Sequence, residues 1–194
     1  MTYQLIGFCL LSLGICHRLK VVRNWDHQIA IGIQRAFKHQ AVLLFSREIW
    51  FFGRTAFTLI FLALMTGYNW KLGGISLIVF GVMAGLEKLI KSTFLRPRPF
   101  AALEKVQMLQ PAQPTDPSFP SGDALRVWFL VLILGIALGN YLSFGLLSIL
   151  LAVLVSLGRM FMGVHYLTDV LAGAGLGFLG AGTTIWLWQL FHLL

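Results

Sequence analysis

Apolar residues are gathered along this chain in long blocks separated by short polar breaks. A membrane-crossing helix needs about 20 mostly apolar residues, and roughly 17 is workable. Six blocks meet or approach that length: 2–17, 52–68, 72–93, 122–139, 142–162 and 166–190. The pattern therefore predicts six transmembrane helices, the first of them the shortest. Trp50, Trp70, Trp128, Trp186 and Trp188, with Tyr68 and Tyr141, fall near the predicted ends, as interfacial aromatic belts do.

A different pattern fills the gap between the first two blocks, in NWDHQIAIGIQRAFKHQAVLLFS. Asn24 or Asp26 is suited to cap a helix there. Ile29, Ile33, Phe37 and Leu44 fall roughly on one face, with Gln34, Arg35 and Lys38 mostly turned away. That layout favours an interfacial amphipathic helix lying on the bilayer over an ordinary packing helix. The third block ends in KSTFLRPRPF, where Pro97 and Pro99 stop the helix. The polar, proline-rich stretch from Ala101 to Pro120 is the longest non-helical segment and a natural place for a substrate-selecting loop. In the last block, GAGLGFLGAG contains a GxGxxG match at 175–180. It does not follow a strand, so a dinucleotide site fails its context test, and small residues that let helices approach closely explain it better.

Composition agrees with the pattern. Of 194 residues, 58% are hydrophobic and 11% charged, against about 25% charged in an ordinary soluble domain. The fold class expected is an all-α integral membrane protein, six transmembrane helices plus an interfacial amphipathic helix, in one domain over residues 1–194. The net charge is +8, from 15 Lys+Arg against 7 Asp+Glu. Because the bases sit outside the apolar blocks, the charge points to anionic headgroups or an anionic substrate in a lipid bilayer. No nucleic-acid motif is present, and no nucleic-acid partner is expected. Cys9 and Cys16 would stand about 10 Å apart along a helix, too far for a disulfide, and read as small buried apolar residues. The start, MTYQLIGFCLLSLGIC, lacks a basic n-region and a clear cleavage site, so it reads as a first membrane helix.

Ionisable residues beside membrane helices mark function by default. Three groups stand out: Lys91, Arg96 and Arg98 after the third block; Ser118, Ser121, Gly122 and Asp123 opening the fourth; and Arg159, His165 and Asp169 between the fifth and sixth. With six spans, the connections 1–2, 3–4 and 5–6 share one membrane face, so all three groups can converge. Lys91, Arg98 and Arg159 would offer three positive charges, two of them planar forks suited to phosphate oxygens. The PSG turn opening a helix would add backbone amides and a favourable dipole. His165 and Asp169, four apart on a helix, would share a face, and a carboxylate beside a histidine fixes its tautomer. Together these describe phosphoryl transfer with a cationic cradle, a histidine nucleophile and an orienting acid. The plainer accounts are a snorkelling Lys91, a positive-inside Arg159 and a packing His165; they leave the coincidence of three groups on one face unexplained. Glu87, four residues before Lys91, either positions that lysine or forms a simple helix-end charge pair.

These residues resemble the type 2 phosphatidic acid phosphatase superfamily of membrane lipid phosphatases, whose pattern is K-x6-RP, then PSGH, then SR-x5-H-x3-D. Here Lys91 is followed after six residues by Arg98 and Pro99; Pro120, Ser121, Gly122 and Asp123 form the second block; Arg159, His165 and Asp169 keep the third block's spacing. The resemblance implies that Lys91, Arg98 and Arg159 hold phosphate with Ser121 and the Gly122 amide. It also implies that His165 attacks phosphorus to give a phosphohistidine and that Asp169 orients His165. It implies no metal and no cofactor, and a membrane lipid phosphate or diphosphate as substrate, of the polyprenyl diphosphate, phosphatidic acid or phosphatidylglycerophosphate type. Two departures stand out. Gly158 replaces the usual Ser, and Asp123 replaces the histidine that protonates the leaving group.

An ordinary Asp has a pKa of about 3.9, and cationic neighbours would lower it further, so Asp123 is expected to be ionised and unable to donate a proton. Three consequences are open: burial restores its acidity, the leaving group is itself a phosphate, or the enzyme is slow, specialised or a transferase. The second is preferred, which favours a lipid diphosphate. The competing functions are a lipid phosphotransferase and a non-catalytic phospholipid-binding or transport protein. All but Lys71 of the 15 Lys+Arg fall on the face carrying the groups, which by the positive-inside rule makes that face cytoplasmic. The resemblance implies an extracytoplasmic site in the plasma (inner) membrane, the orientation preferred here.

Overall fold

The computed structural model describes residues 1–36, 40–139 and 142–193, and no strand occurs among them. In chain order the helices are α1 (Thr2–Ile15), α2 (Lys20–Ala36), α3 (Gln40–Ile49), α4 (Thr55–Tyr68), α5 (Trp70–Phe94), α6 (Pro99–Ala102), α7 (Gly122–Ala137), α8 (Leu142–Phe161) and α9 (Leu167–Leu190). Short 3-10 turns, Cys16–Arg18 and Trp50–Gly53, lead into α2 and α4.

The helix ends follow local chemistry. α5 begins on Asn69, whose side-chain oxygen accepts from the Lys71 and Leu72 amides at 3.1 and 3.3 Å, satisfying donors that a helix start leaves open. It ends where Leu95 enters the left-handed region at φ 44° and returns its amide to the Lys91 carbonyl at 3.1 Å. Pro97 then prevents the helix from resuming before the single turn of α6, with Pro99 in its first turn. This abrupt stop turns Arg96 and Arg98 back toward the bundle.

Among the described residues, only the segment Trp70–Ala102 and α9 are long and apolar enough to cross a membrane on their own. The number rises to four if each of two bent pairs counts as one span: Thr2–Arg18 with Lys20–Ala36, bent by 97°, and Gln40–Gly53 with Thr55–Tyr68, bent by 43°. α1, α4 and α7 contain 14, 14 and 16 residues, short of the expected blocks. The reason at 52–68 is that Trp50–Gly53 winds more tightly, with the Phe51, Phe52 and Phe57 rings packed edge to face at 5.1–5.7 Å.

The amphipathic stretch also departs from expectation. It forms two helices, and Phe37 and Lys38 lie outside the described residues. α2 starts at Lys20, so neither Asn24 nor Asp26 caps it. Ile29 and Ile33 do face the core, packing near Met160 and Val170. Leu44 is exposed, and Gln34 is not a solvent-face residue. Its amide donates to the Gln107 and Phe161 carbonyls at 2.7 and 2.9 Å, and its oxygen accepts from the Gln107 amide at 2.9 Å.

α9 is the axis of the bundle because its glycines admit neighbours on different faces. A Cβ at Gly173 would lie 2.1 Å from the Ser121 carbonyl oxygen and one at Gly177 would lie 2.7 Å from that of Leu125, both on the α7 side. A Cβ at Gly175 would lie 2.7 Å from the Leu11 nitrogen and 2.8 Å from the Gly7 oxygen on α1. This is the close helix approach that the glycine run predicted. Around it Leu125, Phe129, Ile133 and Leu176 form the main core. Trp188 belongs to that core instead of an aromatic belt: it is fully buried and its indole donates to the Leu72 carbonyl at 3.1 Å. Trp70, Trp186 and Tyr68 are exposed as belt residues should be; Tyr141 lies outside the described residues.

Gly175→Ala drives a methyl group into the α1 backbone and is expected to cost about 1–3 kcal/mol, seen as a lower Tm of the detergent-solubilised protein. Gly74→Ala is the control, since nothing lies within 4 Å of its added Cβ, and its Tm should not fall.

Candidate active site

The three groups separated in sequence do converge. The end of α5, the start of α7, the α8–α9 connection and the loop before α7 enclose a cavity of about 190 Å³. Lys91, Arg98, Gly122, Asp123, Arg159 and His165 all line it. Arg96, Ser118, Ser121 and Asp169 of those groups do not. Ser121 is fully buried, and its hydroxyl caps its own helix by accepting from the Ala124 amide at 3.4 Å. Asp169 is also fully buried, behind His165.

His165 is held from both sides. It precedes α9 by two residues, so it and Asp169 are not a helical pair, yet their nearest atoms are 3.7 Å apart. That is too long for a hydrogen bond and sets the carboxylate behind a neutral ring. The short contact of Nδ1 is to the Ser118 carbonyl, at 2.8 Å. A carbonyl only accepts, so Nδ1 carries the proton, and the Nε2 lone pair is left on the Arg98 side, 3.3 Å from Nη1. Burial lowers the imidazole pKa, and the Arg98 charge adds to this against the opposing pull of Asp169; the result is about 4. The ring is therefore neutral and nucleophilic at neutral pH.

Asp169 is in turn fixed by others. One oxygen accepts from the Tyr166 amide at 2.8 Å and the other from Arg96 Nη1 at 2.6 Å. Arg96 also donates to Thr168 Oγ1 and to Asp26, each at 2.7 Å, and its guanidinium lies 4.0 Å from the Tyr166 ring centre. Asp26 accepts from the Thr168 amide at 3.2 Å, so this acid caps α9 from a different helix.

The cations are paired unequally. Lys91 meets Glu87 at 2.9 Å and Asp116 at 2.5 Å. Arg98 meets the second Asp116 oxygen at 2.8 Å and the Asp116 carbonyl at 2.9 Å. Partial burial alone would raise the Asp116 pKa, but its bonds to Lys91 and Arg98 outweigh this and bring it down to about 2. Arg159 is buried against the Trp50 ring at 4.8 Å, with Nη2 donating to Gln110 at 2.5 Å. Its Nε lies 2.7 Å from Asp123 but off the hydrogen-bond axis, leaving a buried donor with no aligned acceptor. Asp123 faces a second guanidinium, that of Arg126, at 3.3 Å.

Asp116, Gln110, Trp50 and Arg126 thus complete the site without having been assigned a role in it from sequence, while Ser118, grouped with it from sequence, contributes its backbone carbonyl. Asp116 and Gln110 lie in the segment marked as a substrate-selecting loop, and Arg126 stands one helical turn after Asp123; those were the available signals.

Similarity to known proteins agrees with this geometry. The PAP2 superfamily model matches residues 72–192, which takes in all three motif blocks, and the chain belongs to that superfamily. It is 38% identical over 105 residues to an undecaprenyl-diphosphatase of Sulfolobus acidocaldarius, covering 54% of this chain and 50% of the relative. It is 33% identical over 116 residues to phosphatidylglycerophosphatase B of Bacillus subtilis, covering 55% and 53%. The chain spans about half the length of the curated relatives it matches. Over 97% of both chains it superposes on the crystal structure of a transmembrane PAP2-type phosphatidylglycerolphosphate phosphatase from Bacillus subtilis, with TM-score 0.82 and 25% identity. Over 81% of this chain and 93% of the other it superposes on Aquifex aeolicus LpxE, with TM-score 0.72 and 24% identity, a likeness of fold.

A free histidine titrates near 6.5. In histidine NMR, His165 is expected to remain neutral at about pH 5 and to take up its proton only near 4. The unfolded chain binds that proton first, so this residue removes stability as the pH falls from about 6.5 toward about 4.

Proposed function

We propose that this chain is a lipid phosphatase of the membrane, releasing phosphate from a lipid phosphate or diphosphate through a phosphohistidine. One observation carries the reading: a neutral, buried imidazole presents Nε2 to the cavity that Lys91, Arg98 and Arg159 line. The Nε2 lone pair forms a bond to phosphorus as the bond to the leaving oxygen breaks. Lys91, Arg98 and Arg159 hold the phosphoryl oxygens, and the open start of α7 at Gly122 adds its dipole. Asp169 keeps negative charge behind the ring as it becomes cationic, while Ser118 fixes its orientation. Water then attacks phosphorus, the N–P bond breaks with its electron pair returning to Nε2, and inorganic phosphate leaves.

Asp116 supports this placement. Its carboxylate bridges Lys91 and Arg98 at the 2.5–2.8 Å expected of a charge-assisted contact to a phosphate oxygen. Half of the Asp116 side chain is exposed, so an arriving lipid phosphate replaces an anion that can swing out. Relatives named undecaprenyl-diphosphatase and phosphatidylglycerophosphatase B support a lipid phosphate or diphosphate as the substrate class.

Phosphate release from a panel of lipid phosphates tests the reading. His165→Ala should remove at least about 10³-fold of the activity, as loss of a nucleophile does; retained turnover would overturn the nucleophile. Radiolabel appearing on a second acceptor with no inorganic phosphate would make the protein a phosphotransferase instead.

The same reading places one domain, residues 1–194, across the plasma membrane in six spans, with the cavity facing the extracytoplasmic side. Gln113, exposed in the loop before α7, reports on this. In a Cys9→Ser, Cys16→Ser background, Gln113→Cys should react with a membrane-impermeant maleimide on intact cells. Protection until the cells are opened would reverse the orientation.

A further inference from the structure

Arg126 belongs to none of the superfamily's three motif blocks, yet it lines the cavity. It lies one turn inside α7, three residues after Asp123, with its side chain 17% exposed. Its two ion-pair contacts are looser than those of the other cations in the cavity: 3.3 Å to Asp123 and 3.6 Å to Glu87. Compare 2.7 Å for Arg159 with Asp123 and 2.9 Å for Lys91 with Glu87. Strong charge-assisted bonds close to about 2.7–2.9 Å, so the Arg126 guanidinium is held in place without being consumed. Gly122 keeps the approach open, because a Cβ there would lie 2.8 Å from Arg126 Nη1 and 2.2 Å from Glu87.

The cavity thus carries four cations, Lys91, Arg98, Arg126 and Arg159, where the motif blocks supply three. The fourth stands beside Asp123, at the position where the superfamily's proton donor would sit. Asp123 is ion-paired with two guanidinium groups, Arg126 at 3.3 Å and Arg159 at 2.7 Å, in place of a proton donor. An alkoxide leaving group needs one. A phosphate monoester does not, since its second pKa is only about 6.

Resting on the phosphatase reading above, we infer that Arg126 is the leaving-group clamp of this site and selects lipids whose leaving group is itself a phosphate. In such a diphosphate, Nε2 of His165 bonds to the terminal phosphorus. The bridging P–O bond breaks, and its electron pair stays on the bridging oxygen, now a terminal oxygen of the lipid monophosphate. Arg126 balances that charge electrostatically, with no proton transferred. Asp123 orients the Arg126 and Arg159 guanidinium groups toward the two phosphates.

The test compares kcat/KM of the purified full chain for a polyprenyl diphosphate and for the monophosphate of the same tail. Wild type should prefer the diphosphate. Arg126→Gln should lower the diphosphate-to-monophosphate ratio by about 10²-fold, the loss typical of one preorganised charge stabiliser, mostly through kcat. Arg126→Lys, which keeps the charge, should restore much of that ratio. An equal loss on both substrates, or no loss, would reduce Arg126 to a structural residue and overturn the inference. A wild type that prefers monoesters would overturn it too while leaving the phosphatase reading intact. Full phosphate release by His165→Ala, or none by wild type on either lipid, would sink the parent reading and this one with it.

Discussion

A guanidinium removed from water has to be matched by carboxylates or it unfolds what surrounds it. Arg96 is matched by two, Asp26 on α2 and Asp169 on α9, both almost wholly buried. The arginine itself lies just past the end of α5. Three parts of the chain are therefore tied by one charge: α2, which bends away by 97° from α1, the long α5, and α9. Removing any member would strand the others in a dry interior. The link reaches the chemistry because the other oxygen of Asp169 stands 3.7 Å from the His165 ring.

This arrangement also explains why an acid can sit inside an amphipathic helix. Asp26 satisfies a backbone donor at the start of α9 as well as the Arg96 charge. A helix start needs acceptors and favours negative charge. Here the acceptor arrives from another helix, so docking of α2 and the start of α9 are coupled.

The motif blocks were legible because phosphoryl chemistry needs few residue types at fixed spacing, and Lys91, Arg98, Arg159 and His165 meet in the cavity as the sequence indicated. The glycine run of α9 was legible for a similar reason, since close backbone approach leaves few alternatives to glycine. Partners supplied across the fold were not. Nothing local marks Ser118 as the Nδ1 acceptor of His165, or Asp26 as a cap for α9, because each depends on backbone placement 47 and 142 residues away. Hydropathy misjudged Trp188, where an indole hydrogen bond to Leu72 makes full burial tolerable. It also overstated the shorter spans, because composition does not reveal where a helix tightens into a 3-10 turn.

The half-exposed Asp116 has a consequence for traffic through the site. A tethered anion competes with any visitor at the millimolar effective concentration typical of short flexible connections. On the phosphatase reading proposed above, dilute free phosphate, including the product, must evict a resident that is always at hand. A phosphate delivered on a hydrocarbon tail meets the same resident but is itself concentrated along the bilayer plane. On that reading the loop carboxylate sets a threshold that favours anchored guests over dissolved ones and hastens the clearing of spent phosphate.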